Sequence, residues 1–277
     1  MSREDPLVIT TRVAHAGHMD HWFRGYMVGK DLAGRATLAG LMGLGINGRR
    51  LTDDEAGMLD DIAVAWTSAD PRIWPLKVSR LASSFGGTIQ GIAAALLCMD
   101  CHVVGIWESS LATARWLGEL RESLRDCAGD PERVAQAARD HLGNRRFIPG
   151  FGVPYRVEDE RVPPMWRCLA NRGRDRLPNV HLFEQVGDVV RRERGIGPNV
   201  TGLATAICLD LGFAPDEIGS LLIYLATPMI IANAHEGARQ APAVLQRLPD
   251  DRVRYIGPAP RVSPRARGAD RGEGGAG

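Results

Sequence analysis

Glu108 is the leading candidate for acid–base chemistry in this sequence. Glu108 follows Trp107 and a mostly apolar segment at 103–106. Apolar surroundings penalise a charged carboxylate, so they would raise the pKa of this group and make it an acid or base near neutral pH. Beside Ser109 and Ser110 it equally fits an ordinary helix start, where the helix dipole favours a carboxylate. The sequence leaves both interpretations open.

A charged loop at 70–77 is the second candidate, because it combines two prolines, a tryptophan and three charged residues. Asp70, Arg72 and Lys77 could reach a polar ligand, and the carboxylate of Asp70 is a candidate for proton transfer. The alternative is a capped helix entry, in which Pro75 occupies the first turn of a helix from position 76.

Hydroxyl groups offer a third kind of chemistry. Thr201 is a candidate catalytic residue, and Ser109 carries the same functional group. Either could act as a nucleophile only if the fold brought a base to it, and His235 is one distant histidine that could serve.

Two clusters have the residue types of metal sites. His15, His18 and His21 lie close together, but Gly17 argues against the helix that would turn two of them toward one ion. We expect this segment to be a loop that lines a cleft. The pair in 98–101, Cys-Met-Asp-Cys, has zinc-knuckle spacing without a second pair, so we expect no metal there and treat a redox role as the minor alternative.

Composition argues against several classes of partner. The chain has 277 residues, a net charge of +1 and 6% aromatic residues, so nothing favours nucleic acid or an anionic membrane. Its five scattered cysteines are typical of thiols in a reducing cytosol, and the N-terminus lacks a signal-peptide pattern. The apolar run at 218–234 contains Pro228 and is interpreted as a core helix. We therefore expect a cytoplasmic protein with no membrane contact.

The elements that must position these residues are helical, because no segment shows sustained two-residue alternation. Thr52 opens a capping box before one helix, and Asp130 and Ala214 precede prolines at the starts of two others. Residues 144–164 and 171–179 are predicted loops. The G-x-G-x-x-G pattern that begins at Gly43 follows a helix instead of a strand, so it predicts a helix–helix turn and not a nucleotide site.

The segment 148–161 carries the most informative motif. It reads Ile-Pro-Gly-Phe-Gly-Val-Pro-Tyr-Arg-Val-Glu-Asp-Glu-Arg. This resembles the I-P-G-F-G-H-R-V…D-P-R signature of the citrate synthase and citryl-CoA lyase superfamily. Other segments resemble the superfamily in the same order along the chain: Arg24-Gly25-Tyr26, then 198–202, 206–213 and 255–258.

The resemblance implies an all-α, citrate synthase-like fold with two helical domains. The large domain would comprise residues 1–110 and 199–260, and a smaller inserted domain residues 111–198. Composition predicts a disordered tail at 261–277. The resemblance also implies a homodimer that pairs through the large domain, with the apolar helices at 76–98 and 215–235 in its interface or in the core.

Ligand-binding residues follow from the same resemblance. It implies that coenzyme A or an acyl-CoA contacts the loop residues Pro149, Gly150, Phe151, Gly152 and Arg156. It assigns a small-molecule substrate to Arg161, whose fork suits a carboxylate, together with Arg72, Tyr155 and Trp107. Without the resemblance, the same loop could be a tight inter-helix turn containing a structural ion pair.

The superfamily's catalytic positions are changed in this chain. Glu108 stands in place of the enol-binding histidine, Val153 in place of the loop histidine, and Thr201 in place of the catalytic aspartate. The resemblance therefore implies a divergent enzyme of specialised metabolism, acting on an acyl thioester or a related keto or carboxylate compound. It would make, break or rearrange a C–C bond by enolate-type chemistry. The alternative is a non-catalytic paralogue that serves as a ligand-binding or dimer-partner subunit.

Overall fold

A computed structural model describes residues 9–67, 70–101, 105–125, 130–143, 147–154, 156–240 and 249–259, together with Arg261. The chain forms two compact units, Met1–Ala241 and Pro242–Gly277. The described part of the first unit contains eleven α-helices, so the predicted all-α fold is confirmed. The second unit contains a short 3₁₀ helix at Asp250–Arg252. The division into a large and an inserted domain stays a prediction, and the predicted tail lies outside the described residues from position 262 onward.

The helices follow one another along the chain, and the long connection at 143–161 contains the motif loop. Their bounds are α1 Leu38–Asn47, α2 Asp53–Trp66, α3 Trp74–Gly86, α4 Thr88–Cys98, α5 Ile106–Ser123, α6 Pro131–Leu142, α7 Val162–Asn171, α8 Pro178–Arg194, α9 Val200–Asp210, α10 Pro215–Leu225 and α11 Thr227–Gly237.

Local capping explains where several helices begin. The Thr52 hydroxyl accepts a hydrogen bond from the Glu55 amide, and the Glu55 carboxylate accepts one from the Thr52 amide, which is the predicted capping box of α2. Asp130 caps α6 in the same way, accepting from the amides of the first turn. Gly48 ends α1 in a left-handed conformation (φ 78°), so the glycine-rich segment ends in the predicted helix–helix turn.

A small antiparallel sheet precedes α1, and among the described residues it is the one element that contradicts the expectation of no strands. Its order is β1 (Ala14–Ala16), β2 (His21–Phe23), β3 (Tyr26–Met27), with His15 opposite Trp22. Strands this short cannot show a clear alternation in sequence. Long-range contacts hold the sheet instead, because the Phe23 ring packs on Gly45 and the Arg24 guanidinium donates to the Gly45 carbonyl at the end of α1.

The core lies among α2, α5, α8, α9 and α10. Fully buried side chains from these helices include Leu59, Leu117, Phe183, Leu203 and Leu221. Helices α10 and α11 together form an apolar stretch that is long enough to cross a membrane by length and composition, and about half of it is buried inside the molecule. That burial agrees with the interpretation of this run as a core helix.

Helices α3 and α4 pack unusually closely. A Cβ placed on Gly91 would lie 1.7 Å from the Ser83 hydroxyl oxygen and 2.6 Å from the Ser79 carbonyl oxygen. Both serine side chains are buried. The α3–α4 helix pair leaves apolar side chains of α4 exposed to solvent. Ile89 is 74% exposed and Leu97 is 80% exposed, and we call this side of the pair its outer face.

Candidate functional site

The predicted cofactor loop is tied to the segment that leads into α9. The Gly152 amide donates to the Gly197 carbonyl (2.8 Å), and the Asn199 amide donates to the Gly150 carbonyl (2.9 Å). The Asn199 side chain then donates to the Gly152 carbonyl at 3.0 Å. Gly150 and Gly152 both have left-handed backbone conformations, with φ of 84° and 78°. Only glycine adopts these readily, so the turn depends on both residues.

Protein packing also requires a glycine at position 150. A Cβ on Gly150 would meet Thr113 of α5, Gly202 of α9 and Phe183 of α8 at 3.1–3.2 Å. A Cβ on Gly202 would lie only 2.5 Å from the Gly150 carbonyl oxygen. The two backbones therefore touch, and the open space expected for a ligand at Gly150 is occupied by the protein itself.

The other loop residues divide into buried and accessible groups. Phe151 is buried and stacks on Phe183 with ring centroids 4.9 Å apart. Pro149 is half-buried, and its carbonyl accepts from the Trp116 indole nitrogen at 3.2 Å. Gly152 is half-buried and Arg156 is exposed. Contact of this loop with coenzyme A stays a prediction, and Gly152 and Arg156 are its most accessible members.

Arg161 forms a bidentate pair with a buried carboxylate. Its Nε lies 2.8 Å from Asp159 Oδ1 and its Nη2 lies 2.9 Å from Asp159 Oδ2. The Asp159 side chain is fully buried, and the Val200 amide at the start of α9 also donates to it (2.9 Å). Burial alone would raise the pKa of Asp159, but the hydrogen bonds and charge of Arg161 and the Val200 amide hold it below its ordinary value.

This pair changes what Arg161 can offer a substrate. One edge of the guanidinium is already used, so a ligand carboxylate could reach only the remaining Nη1 side. The structural ion pair that the residues alone suggested is present, and it joins the loop to the first turn of α9. Binding of a substrate carboxylate by Arg161 stays a prediction.

Glu108 lies in the first turn of α5 with its side chain exposed. The sequence also allowed an apolar environment around this carboxylate, but the exposed side chain matches the interpretation of an ordinary helix start. Gly105, the residue before α5, provides no side-chain cap. Within the described part of the chain Glu108 has no ion-pair partner, so its carboxylate is available to a ligand. Trp107 is half-buried, and its indole packs directly on Gly219 of α10, where a Cβ would lie 2.6 Å from the ring.

Two local ion pairs hold charged side chains that were predicted to bind ligands, one in the 70–74 loop and one at the end of the cofactor loop. The Arg72 guanidinium donates to both oxygens of Asp70, at 3.0 and 2.9 Å from its Nε, and Arg156 pairs with Glu160. Hydrogen bonds from Arg72 lower the pKa of Asp70 to about 2, and the charge of Arg156 contributes. The charge of Asp70 in turn contributes to the raised pKa of Arg156.

Thr201 is half-buried and lies in the first turn of α9, next to Gly202. It is thus beside the cofactor loop, whereas Glu108 starts a different helix that meets this loop through Thr113. Convergence of Glu108, Val153 and Thr201 on one cavity stays a prediction. Tyr155 lies outside the described residues.

Two other features lie on different elements of the fold, the histidine cluster and a contact between α3 and α11. His15, His18 and His21 are exposed on the small sheet and its turn, and the described residues contain no group of three histidine, cysteine or acidic side chains placed to hold a metal ion. Asn233 accepts from the Arg80 guanidinium at 2.7 Å and so ties α3 to α11.

Sequence reasoning assigned no role in joining the loop to α9 to Asp159 or Asn199, and it gave no role to Asp210. Asp159 anchors Arg161 and α9, and Asn199 caps α9 while it holds the loop. Asp210 accepts from the amides of Asn179 and Val180 at the start of α8, and burial raises the pKa of Asp210 despite these bonds. An asparagine directly before a predicted helix is a readable cap signal. The Val200 amide lies 41 positions from Asp159 and the Asn179 amide 31 positions from Asp210, so these two contacts left no local signal.

Comparisons with known proteins agree with this architecture. No protein-family model matches the sequence, and no curated protein matches it. Among solved structures, citryl-CoA lyase from Hydrogenobacter thermophilus matches with a TM-score of 0.75 and 21% identity, covering 94% of this chain and 98% of that one. ATP citrate lyase from Methanosaeta concilii, in complex with (3S)-citryl-CoA, matches with a TM-score of 0.67 and 17% identity, covering 92% of this chain and 43% of that one.

Citrate synthase from Thermoplasma acidophilum matches with a TM-score of 0.58 and 19% identity, covering 82% of this chain and 59% of that one. The chain therefore spans less than two thirds of the ATP citrate lyase and of this citrate synthase, but nearly all of the citryl-CoA lyase. The fold is citrate synthase-like, as the motif at 148–161 predicted.

Proposed function

We propose that this protein is a divergent citrate synthase-like enzyme that acts on an acyl thioester or a related keto or carboxylate compound. It makes, breaks or rearranges a C–C bond through an enolate-type intermediate, and its active site is remodelled. The observation that carries the proposal is the exposed carboxylate of Glu108, which has no ion-pair partner among the described residues. It lies at a helix start without a side-chain cap, on the helix that packs against the cofactor loop.

Glu108 is the proton-transfer group in this proposal. Its carboxylate removes the proton α to the thioester carbonyl, and the positive end of the α5 helix dipole favours the negative charge that develops. Asp70 suits proton transfer less well, because a pKa of about 2 leaves it ionised and weakly basic at neutral pH. Its role is to hold the Arg72 guanidinium, while Thr201 contributes a hydroxyl beside the loop.

Coenzyme A would be held by the accessible part of the loop. Arg156 supplies a charge for a phosphate, and Gly152 allows close approach of its backbone. Gly150 and Phe151 support this surface from behind, because both are buried in contacts with α8 and α9. The substrate carboxylate would bind the Nη1 side of Arg161. The ATP citrate lyase from Methanosaeta concilii was solved in complex with (3S)-citryl-CoA, which supports this class of substrate.

A specific observation favours the alternative of a non-catalytic ligand-binding or dimer-partner subunit. The motif residues Gly150, Phe151 and Arg161 all have packing or ion-pair partners inside the protein. Retention of the motif could therefore reflect folding alone. The two functions differ in whether a bound thioester loses its α-proton.

Deuterium exchange at the α-carbon of acyl thioesters distinguishes them. The protein is incubated in D₂O with acetyl-CoA and a panel of longer acyl-CoAs, and exchange is followed by NMR. We expect exchange with the wild type, loss of at least about tenfold in Glu108→Gln, a typical effect of removing a general base, and no change in Glu119→Gln. Glu119 is an exposed glutamate on the same helix. Exchange by both variants alike would remove Glu108 from the mechanism.

Ligand binding is tested separately by thermal shift with coenzyme A, acyl-CoAs and di- and tricarboxylates. Arg156→Gln should lose the stabilisation by coenzyme A, whereas Arg125→Gln should keep it. The two arginines are matched, since each is exposed and pairs with a glutamate within four positions on the surface. Stabilisation without α-proton exchange would favour the binding subunit, and no stabilisation by any coenzyme A species would remove coenzyme A from both functions.

We also propose that the protein is a homodimer that pairs through the outer face of α3 and α4. Ile89, Ala93 and Leu97 recur every four residues and are exposed. Light scattering after size exclusion should give a dimer for the wild type and for Val64→Glu, and a monomer for Leu97→Glu. Val64 is an exposed apolar residue on α2 and controls for the added charge. A monomeric wild type would contradict this proposal.

A further inference from the structure

The end of α4 carries two cysteines that the proposed function does not use. Cys98 is the last helical residue and Cys101 follows after Met99 and Asp100. Both thiols are half-buried, so a small reagent can reach them. Burial, and then the charge of the neighbouring Cys101, raise the pKa of Cys98.

The chain leaves α4 between the two cysteines through one further helical residue and a bend. Met99 keeps a helical conformation (φ −76°, ψ −15°) and its amide donates to the Leu96 carbonyl at 3.0 Å, after which the chain bends at Asp100 and Cys101. A disulfide needs Cβ atoms about 3.5–4.5 Å apart. Closing the bond therefore draws the Cys101 backbone toward the end of α4.

Such a contraction is transmitted to α5 through two contacts. The Met99 carbonyl accepts from the Trp107 amide at 3.4 Å. The Cys101 carbonyl oxygen lies against Gly105, where an added Cβ would be 1.8 Å away. Gly105 directly precedes α5, whose first turn carries Trp107 and Glu108. Because the Cys101 backbone contacts Gly105 directly, a movement of Cys101 displaces this helix start.

We propose that Cys98 and Cys101 form a reversible disulfide, and that closing it shifts the start of α5. The oxidant is a small disulfide of the glutathione type. One cysteine thiolate attacks it, its S–S bond breaks and one small thiolate leaves. The second cysteine thiolate attacks the mixed disulfide, the Sγ–Sγ bond forms and the second small thiolate leaves. Two electrons pass from the cysteine pair to the oxidant, and the two cysteine protons end on the released thiols or in solvent.

The test uses the full chain with glutathione disulfide, followed by trypsin digestion and mass spectrometry. Residues 81–115 contain both cysteines and no internal lysine or arginine, so they form one tryptic peptide with no other cysteine. We expect this peptide to become two hydrogens lighter, faster as the pH rises because the thiolate is the nucleophile. Cys98→Ser and Cys101→Ser should each give only a glutathione adduct, and reductant should restore the original mass.

Hydrogen exchange supplies the second readout, which does not depend on any enzymatic activity. Oxidation of the wild type should change amide exchange at 105–110 and leave the two serine variants unchanged. Cys168 on α7 is half-buried and serves as the internal control for a thiol without this spacing. If the wild-type peptide carried mixed glutathione adducts and no internal disulfide, the proposed disulfide would be overturned. A disulfide without altered exchange at 105–110 would overturn the coupling to α5.

Discussion

The turn at Gly150–Gly152 and the start of α5 are both candidate site elements, but they use their polar groups in opposite ways. In the turn, both backbone carbonyls accept hydrogen bonds from Asn199, and Gly150 is enclosed by three helices. At the start of α5, Glu108 is exposed and no side chain caps the helix. The glycine turn is thus enclosed by the protein, whereas the carboxylate at the start of α5 is open to a ligand.

The largest expected effect is at the contact between the loop and α9. In Gly202→Ala the new methyl group would lie about 2.5 Å from the Gly150 carbonyl and 2.6 Å from the Phe183 ring. Overpacking of this kind costs about 3 kcal/mol or more in the free energy of unfolding, measured by urea denaturation. Gly118→Ala is the matched control, because a Cβ there meets nothing within 4 Å and the helix should gain up to about 1 kcal/mol. Equal effects would show that the loop does not depend on this contact.

The second effect is at the ion pair between the loop and α9. Arg161→Ala leaves the buried Asp159 with the Val200 amide as its partner, and we expect a loss of about 3 kcal/mol. In the wild type the lowered pKa of Asp159 gives stability that is present above the ordinary aspartate pKa of about 4 and is lost as the pH falls through the folded value. In the variant, burial raises that pKa, so the variant gains stability on mild acidification.

Denaturant unfolding from pH 7 down to pH 4 checks this prediction. The stability difference between the wild type and Arg161→Ala should shrink as the pH falls. Arg156→Gln removes an exposed pair on the same loop, and it should change stability by less than about 1 kcal/mol. A constant difference over the whole pH range would contradict the role assigned to Asp159.

A smaller effect is expected where α5 meets α10. Gly219→Ala places a methyl group about 2.6 Å from the Trp107 indole, so the ring must move, at a cost of about 1–3 kcal/mol. NMR should show a shifted Trp107 indole signal, which the variant Trp107→Phe identifies by its absence. If the signals of other tryptophans move and that of Trp107 does not, the contact is wrong.

The smallest effect on the free energy of unfolding is expected at Glu108, in contrast to the large effects expected at the Gly150–Gly152 turn. Glu108→Gln removes an exposed carboxylate without a partner among the described residues, so unfolding should change by no more than about 0.5 kcal/mol. Calorimetry provides the measurement. A clear destabilisation would mean that Glu108 supports the helix instead of remaining available for chemistry.

Some features of the site could be predicted because they depend on neighbours in sequence. The motif at 148–161 indicated the fold, and the ion pair of Arg161 with a nearby carboxylate was among the interpretations of that loop. Val200 and Asp159, which are joined by a hydrogen bond, are 41 positions apart in the sequence. A contact of that separation leaves no local pattern, so the anchoring of α9 by Asp159 could not be read from the residues. The same holds for Gly219 beneath Trp107.

Local chemistry in the sequence determined where helices begin. Thr52 with Glu55, and Asp130 before Pro131, satisfy the amides of a first helical turn from within three positions, and such bonds form wherever the chain lies. Tertiary structure alone decided how exposed Glu108 is, what fills the space beside Gly150, and that three short strands assemble before α1. Each of these depends on which distant backbone arrives at a given surface, and that is set by packing of the whole chain.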